Sequence, residues 1–188
     1  MPEEPVKAAA YLRERAARLT LSEIRARVGA AFAGLEALVE GLSEADARRR
    51  PAHGGWSIQE VVDHLVETNR ASVEELASLL QGRRPPGPPI PAGLQSEAPL
   101  ATPWPKLIAE LREVSRAALG LLESARPDLP TTATAPVVMV VNVKRADGSE
   151  GPHSWVEELD WKAYAFVLRL HTLEHTNQVK AIRSAQGD

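Results

Sequence analysis

Cysteine is absent from this chain of 188 residues, and its absence narrows the chemistry that the chain can perform. Disulfide bonds, thiolate metal ligands and a cysteine nucleophile are all excluded. Any bound metal ion must therefore be held by nitrogen and oxygen donors, which directs attention to the five histidines and the carboxylates.

Long apolar runs are missing as well. Segments such as VVMVV and AYAFVL are far shorter than the roughly 20 apolar residues that cross a bilayer. The first ten residues, MPEEPVKAAA, are acidic and lack the apolar core of a secretory signal. We therefore expect a cytoplasmic protein with no membrane partner.

The chain also has no excess of positive charge. Its formal net charge is -3 and its pI is about 6.0. Nucleic-acid backbones and anionic membranes attract clustered lysine and arginine. The arginines at residues 48–50 directly precede Pro51 and are predicted to be the solvated end of a helix. We expect no nucleic-acid partner.

The residues that are present have the proportions of a globular protein, with 44% apolar and 25% charged residues. The length suits one domain, predicted to cover residues 1–188. Helical spacing of apolar residues predicts a mainly α-helical fold. The predicted helices are a short lead-in over residues 11–19 and four longer ones over about 21–42, 58–80, 103–124 and, starting between 154 and 160, to about 187.

Capping patterns support several of these helix starts. Thr102 is predicted to cap the third long helix, with Pro103 in its first position. A capping box places a hydroxyl three residues before a glutamate. Three pairs have this spacing: Thr20 with Glu23, Ser57 with Glu60, and Ser154 with Glu157.

Two segments interrupt the helical pattern. Eight prolines lie between Pro85 and Pro105, so this stretch is predicted to be a long, partly extended crossover on the surface. The β-branched run around residues 137–143, followed by the turn sequence ADGS, predicts a small β-hairpin. Four long helices joined by one long crossover favour a four-helix bundle.

Two histidines, His171 and His175, stand four residues apart in the last predicted helix. Residues at this spacing share a helix face, so two imidazoles can bind one metal ion from successive turns. His64, at the edge of the apolar stripe of the second long helix, is the candidate third ligand. Three protein ligands leave coordination positions open, which is typical of catalytic sites.

Other interpretations remain open at this point. A histidine pair at this spacing also arises by chance, and the residues could then be ordinary core histidines. His53 and His153 lie beside glycine and proline, and are predicted to be loop residues and not metal ligands. The segment HTLEH matches the inverted zinc-protease pattern, with Glu174 as general base. Only thirteen residues follow His175 and none is a glutamate, which disfavours that reading.

Several residues near the histidines could orient the imidazole rings, although a solvated helix face is the favoured explanation for each carboxylate among them. Trp56 could line a pocket or pack on Val61 as a hydrophobic staple. The candidate orienting residues are Glu60, Asp63, Glu67, Glu174 and Asn177.

Two motifs in this order resemble the DinB-like (damage-inducible, YfiT-related) superfamily of proposed metal-dependent enzymes. The first covers residues 42–67, where a helix ends in a proline-containing loop, WS follows, and His64 comes seven residues after Ser57. The second is HTLEHTNQV, in which Gln178 fits the family pattern, whereas Asn177 stands where the family often has glycine. The resemblance covers most of the chain.

The resemblance implies a four-helix bundle with His64, His171 and His175 as metal ligands. Relatives include thiol transferases that use bacillithiol, mycothiol or glutathione, and a thiol-dependent isomerase. We therefore expect a metal-dependent enzyme that transfers a low-molecular-weight thiol cosubstrate to a small electrophile. Zinc, nickel, iron(II) or copper suits three imidazoles.

Two alternatives to a thiol transferase are kept. One is a hydrolase that uses a metal-bound water, and the other is a helical interaction protein without catalysis. A homodimer is implied by analogy alone. The sequence leaves the catalytic residues unknown and names only the metal ligands. The proline-rich crossover and the hairpin are not part of the short family core, and they could shape the pocket.

Overall fold

The computed structural model describes residues 3–52, 54–144 and 148–186. The mainly helical prediction is confirmed, with one small antiparallel hairpin. The elements of the described residues, in chain order, are α1 (Glu3–Ala17), α2 (Leu21–Val39), α3 (Glu44–Arg48), α4 (Ile58–Leu80), α5 (Trp104–Ser124), β1 (Thr134–Lys144), β2 (Glu150–Asp160) and α6 (Trp161–Gln186). In this part of the chain, no helix has the length and apolar character needed to cross a membrane.

The starts of α2 and α4 are set by the predicted capping boxes. The Glu23 N–H donates to the Thr20 hydroxyl, and the Thr20 N–H donates to the Glu23 carboxylate, 2.8 Å away. Ser57 and Glu60 make the same two bonds at the start of α4. Each box satisfies main-chain donors that have no partner within the helix. The bounds of α4 are those predicted.

The ends of the first two helices differ from the prediction. α1 begins eight residues before residue 11, because Pro5 lies in its first turn, where a missing N–H costs no helical hydrogen bond. α2 ends at Val39, before the predicted residue 42, because Gly41 adopts a positive φ of 78°. A glycine in the left-handed region terminates a helix at little steric cost.

The short helix α3 was not predicted, and the predicted cap of α5 is wrong. Ser43 caps α3 by accepting from the Asp46 N–H, and Arg48 is the last residue of α3. At the start of α5 the cap position is Pro103, which offers no side-chain hydrogen bond, so Thr102 is not the cap. The Trp104 N–H instead points to the Glu44 carboxylate, 3.4 Å away.

The hairpin is longer than predicted, and it removes the third capping box. β1 and β2 pair from Thr134 opposite Asp160 to Lys144 opposite Glu150, so Ser154 and Glu157 are strand residues. Asp160 instead accepts from the Ala163 N–H at 2.9 Å, at the junction of β2 with α6. Two of the four residues of the predicted ADGS turn, at 146 and 147, lie outside the described residues.

The four long helices contact one another, and α2 and α4 each contact both α5 and α6. Their apolar faces form two buried clusters. One is centred on residues such as Phe32, Leu76 and Trp161, and also receives Leu159 of the hairpin. The other contains residues such as Leu35, Ile58, Leu65 and Leu111. This packing places α4 beside α6, the two helices that carry the histidines.

The connection between α4 and α5, residues 81–103, contains no helix or strand. Buried polar side chains of α4 fasten it. Gln59 donates to the Thr102 carbonyl at 2.9 Å, and Asp63 accepts from the main chain and hydroxyl of Ser96 at 2.9 and 2.7 Å. The connection is therefore held against the first two turns of α4, next to His64.

Candidate metal centre

Three histidine side chains meet between α4 and α6. His64 lies in the second turn of α4, and His171 and His175 occupy successive turns of α6. The Nε2 atom of His171 lies 3.0 Å from that of His64 and 3.1 Å from that of His175. One nitrogen of each ring lies within 4.8 Å of the others, an arrangement that could hold a metal ion. The structure thus brings the three candidate ligands together.

Two of the rings are oriented through their other nitrogen. His64 Nδ1 lies 2.7 Å from the carbonyl oxygen of Leu94, in the proline-rich connection. His175 Nδ1 lies 2.7 Å from Oε1 of Gln178, one turn later on α6. A carbonyl oxygen only accepts, so each Nδ1 carries the proton and each Nε2 presents its lone pair to the centre. Such outer partners typically orient metal-binding imidazoles.

The three histidines carry too few protons to form hydrogen bonds between all of the ring nitrogens that meet at the centre. His64 and His175 both present unprotonated Nε2 atoms to His171, and the Nε2 of neutral His171 can donate at most one proton to one of them. At least one nitrogen lone pair at the centre therefore receives no hydrogen bond from another histidine. A cation between the three nitrogens would satisfy all of them, so the donor set fits a divalent metal ion.

The three histidines of the centre, His64, His171 and His175, are neutral at pH 7. Burial, reinforced by the neighbouring His175 and His64, lowers the pKa of His171 to about 3. Burial also lowers the pKa of His64 to about 4, against the opposing effect of its bond to Leu94. The pKa of His175 is lowered for the same reason. Metal binding requires neutral imidazole, and these three rings are already neutral at pH 7, so they need not be deprotonated before a metal binds.

The candidate orienting residues do not perform that role. Within the described residues, none of the five forms a hydrogen bond with a histidine ring. Glu60 belongs to the capping box and pairs with Arg50, and Glu67 lies 3.4 Å from Arg70. Asp63 binds Ser96, whereas Asn177 is exposed.

The two groups that do orient the rings were not assigned that role from the sequence, although Gln178 was noted as fitting the family pattern. Gln178 had a detectable signal, because it follows His175 by three residues and so shares its helix face. The sequence contains no signal for the Leu94 carbonyl, because every residue has a main-chain carbonyl oxygen.

The structure also shows where Trp56 and His153 lie. The Trp56 ring lies 5.1 Å from that of His64 and 6.5 Å from that of His175, and Trp56 also packs against the cluster that contains Val61. His153 lies in β2, not in a loop, and its ring stacks 6.2 Å from Trp155, apart from the three-histidine group. His53 lies outside the described residues.

A mainly apolar cavity of about 580 Å³ adjoins the centre. His171, His175 and Glu174 line it, so one side of the histidine group faces open space. The hairpin contributes residues 136–141 and the proline-rich connection contributes residues 90–93 to the walls. The hairpin and the proline-rich connection, which are not part of the short family core, therefore both shape the pocket.

Comparison with known proteins decides the family. Residues 27–146, more than half of the chain, match the family model of the DinB superfamily. The chain belongs to the DinB superfamily. The resemblance drawn from the two motifs is thereby confirmed. No curated protein matches this DinB-superfamily chain. The family match includes His64 and ends before α6, so the grouping of His171 and His175 with it rests on the geometry of the structure.

Proposed function

We propose that this DinB-superfamily protein binds a divalent metal ion through Nε2 of His64, His171 and His175, and that it is an enzyme. The observation that carries the proposal is the convergence of three neutral imidazole nitrogens that lack enough protons to satisfy one another. Membership of the family and the adjoining cavity support it.

The reaction that we propose is transfer of a low-molecular-weight thiol to a small electrophile. A metal ion bound by three nitrogens would keep a thiol ionised at neutral pH and leave it facing the cavity. The thiol gives up its proton, its sulfur forms a bond to the electrophilic carbon, and the leaving group departs with its electron pair.

The chain's own residues would hold and shield the reactants. The Leu94 carbonyl and Gln178 keep two of the rings turned inward. Apolar walls from β1 and α6 would surround the apolar parts of the reactants. Glu174 is exposed and lines the cavity together with His171 and His175. In this proposal its carboxylate accepts the proton that the thiol releases.

A hydrolase is the second candidate, and Glu174 is the observation that favours it. A carboxylate beside the open side of the centre could take a proton from a water molecule instead of a thiol. The two candidates share the three ligands and differ in the nucleophile.

A metal titration followed by activity assays tests the proposal. Chelator-treated protein should take up one equivalent of zinc, nickel, iron(II) or cobalt(II), measured by mass spectrometry, and His153→Ala should do so equally. Cobalt-loaded protein should gain a sulfur-to-metal charge-transfer band when a thiol is added, and should then consume thiol with a small electrophile. Uptake of much less than one equivalent would refute the site. Uptake that is unchanged in His64→Ala would also refute it. Turnover of esters without thiol would favour the hydrolase.

The finer points of architecture are also proposals. We infer that the four long helices form a four-helix bundle in a single domain, with residues 81–103 as its crossover, and the contacts of α2 and α4 with both α5 and α6 support this. The homodimer and the cytoplasmic location stay predictions.

A further inference from the structure

A second polar pair lies on the same two helices, away from the histidines. The Tyr164 hydroxyl of α6 donates to Oε2 of Glu75 on α4 at 2.5 Å. Glu75 follows His64 by eleven residues on α4, and Tyr164 precedes His171 by seven on α6. The helices are thus antiparallel, and the pair lies roughly 10 Å along α6 from the centre.

The pair and the histidines line one cavity. Glu75, Tyr164, His171 and His175 all belong to its wall, and most of the wall between them is apolar, from residues such as Val167 and Leu168. Glu75 also lines a second cavity of about 410 Å³, built mainly from the prolines of residues 85–91. Ile90 and Pro91 are shared by both cavities, so Glu75 stands where they adjoin.

The Glu75 carboxylate lacks a cationic partner in the part of the chain that the structure describes. Among the described residues, Tyr164 is its only hydrogen-bond partner, and no ion pair includes it. Neither cavity has a lysine or arginine among the described residues of its wall. Burial raises the pKa of Glu75, because the ionised form is less well solvated in a partly buried position. A carboxylate in such a place has an accepting oxygen, Oε1, free for a ligand.

We infer that the cavity binds an elongated, largely apolar molecule that carries a protonated amine, with the ammonium group on Glu75 and the opposite end towards the three histidines. The ammonium donates to the carboxylate, a charge-assisted bond in a mainly apolar surrounding. The alkyl part is buried against the walls. Binding itself does not need the metal, whereas the identification of this molecule as the substrate rests on the proposed function.

The ligand side of the test needs no variant. Chelator-treated protein is titrated by calorimetry with hexylammonium, hexanol and hexanoate at pH 7. Hexylammonium should bind one to one and at least about tenfold more tightly than hexanol, and hexanoate should bind more weakly than both. Across butyl- to octylammonium, each added methylene should tighten binding about three- to fourfold. Equal binding of hexylammonium and hexanoate would overturn the inference, as would no binding of hexylammonium.

Variants then locate the ammonium group. Glu75→Gln should weaken hexylammonium binding by about tenfold or more and leave hexanol binding unchanged, which also shows that the cavity is intact. Glu113→Gln, on the exposed face of α5, is the matched control and should change neither. If Glu174→Gln abolished the preference for the amine and Glu75→Gln did not, the ligand would lie in the reverse orientation and the inference would be wrong.

Metal uptake separates this inference from the proposed function. Glu75→Gln should still bind one equivalent of metal. A protein that binds hexylammonium through Glu75 but takes up no metal would refute the metal site alone. A protein that takes up metal through the histidines but shows no preference for the amine would refute the inference alone.

Discussion

The two ends of the cavity contain polar groups from the same two helices, but they differ in what satisfies those groups. At one end, three neutral imidazoles carry too few protons to pair all of the nitrogens that face one another. At the other end, Glu75 is already bonded to a hydroxyl donor, and the pair needs no metal. The comparison teaches that burial alone does not identify a metal site, because the balance of donors and acceptors distinguishes the two ends.

Removal of a central histidine should have the largest effect, because it should remove the property that distinguishes the histidine end of the cavity from the Glu75 end. We expect His171→Ala to abolish stoichiometric metal binding, because His171 Nε2 lies closest to both other rings. The protein should stay folded and helical with a modest loss of stability, since the apolar clusters of the four long helices remain and alanine favours helix.

Metal content by mass spectrometry and thermal melts by circular dichroism, with and without chelator, measure both effects. An unfolded variant would make the centre structural and would argue against the enzyme. A folded variant that keeps a full metal equivalent would remove His171 from the centre.

Acidification should affect the two ends in opposite directions. The folded-state pKa of His64 is about 4 against about 6.5 unfolded, so between these values the unfolded chain binds the extra proton. The unfolding free energy of metal-free protein should therefore fall as the pH falls from about 6.5 to 4, by on the order of 3 kcal/mol from His64 alone.

The raised pKa of Glu75 has the opposite sign. Above pH 4.5 the folded state holds this proton longer, so Glu75 favours folding as the pH falls. Urea unfolding at several pH values checks both effects, and Glu75→Gln should steepen the acid loss. A flat profile in the metal-free protein would contradict the assignment of three buried neutral histidines.

Loss of the Gln178 side chain should weaken the centre without destroying it. Gln178→Ala removes the acceptor at His175 Nδ1 and frees that ring to rotate. Outer partners of this kind typically contribute about 10- to 100-fold in metal affinity. Competition with a chromophoric chelator measures the change. Asn177→Ala, at the exposed neighbouring position, is the control and should leave the affinity unchanged.

The smallest expected effect is at the Glu75 end. Tyr164→Phe removes the hydroxyl and its bond to Glu75 while it keeps the ring, so stability should fall by about 1 to 2 kcal/mol. Metal affinity should not change, because Tyr164 lies two turns from His171. Chemical denaturation together with metal titration tests this, and a loss of metal binding would mean that the two ends are coupled.

The sequence predicted best those features that repeat along one helix. The bounds of α4 follow from Ser57, Glu60 and a continuous apolar stripe, and the positions of His64, His171 and His175 followed from the same spacing. Local signals failed where tertiary contacts decide. Ser154 and Glu157 match a capping box in sequence, but β2 pairs with β1 and makes them strand residues.

Contacts between distant segments had no signature at all. Glu75 and Tyr164 are 89 residues apart, and each alone is an ordinary helix residue. The Leu94 carbonyl lies 30 residues from His64, in a segment whose sequence indicates only that it is irregular. Such partners depend on how α4, α6 and the connection pack together, which no single segment specifies.

His64 belongs to two structures at once, because one ring nitrogen faces the centre and the other holds the Leu94 carbonyl. Thermodynamic linkage makes this dependence reciprocal. Whatever stabilises residues 81–103 against α4 also favours the ring orientation that a metal requires, and a metal on Nε2 in turn favours the attached form of the connection. Part of the cavity wall and one nitrogen of the centre are thus joined through a single imidazole ring, so a change that stabilises one should stabilise the other.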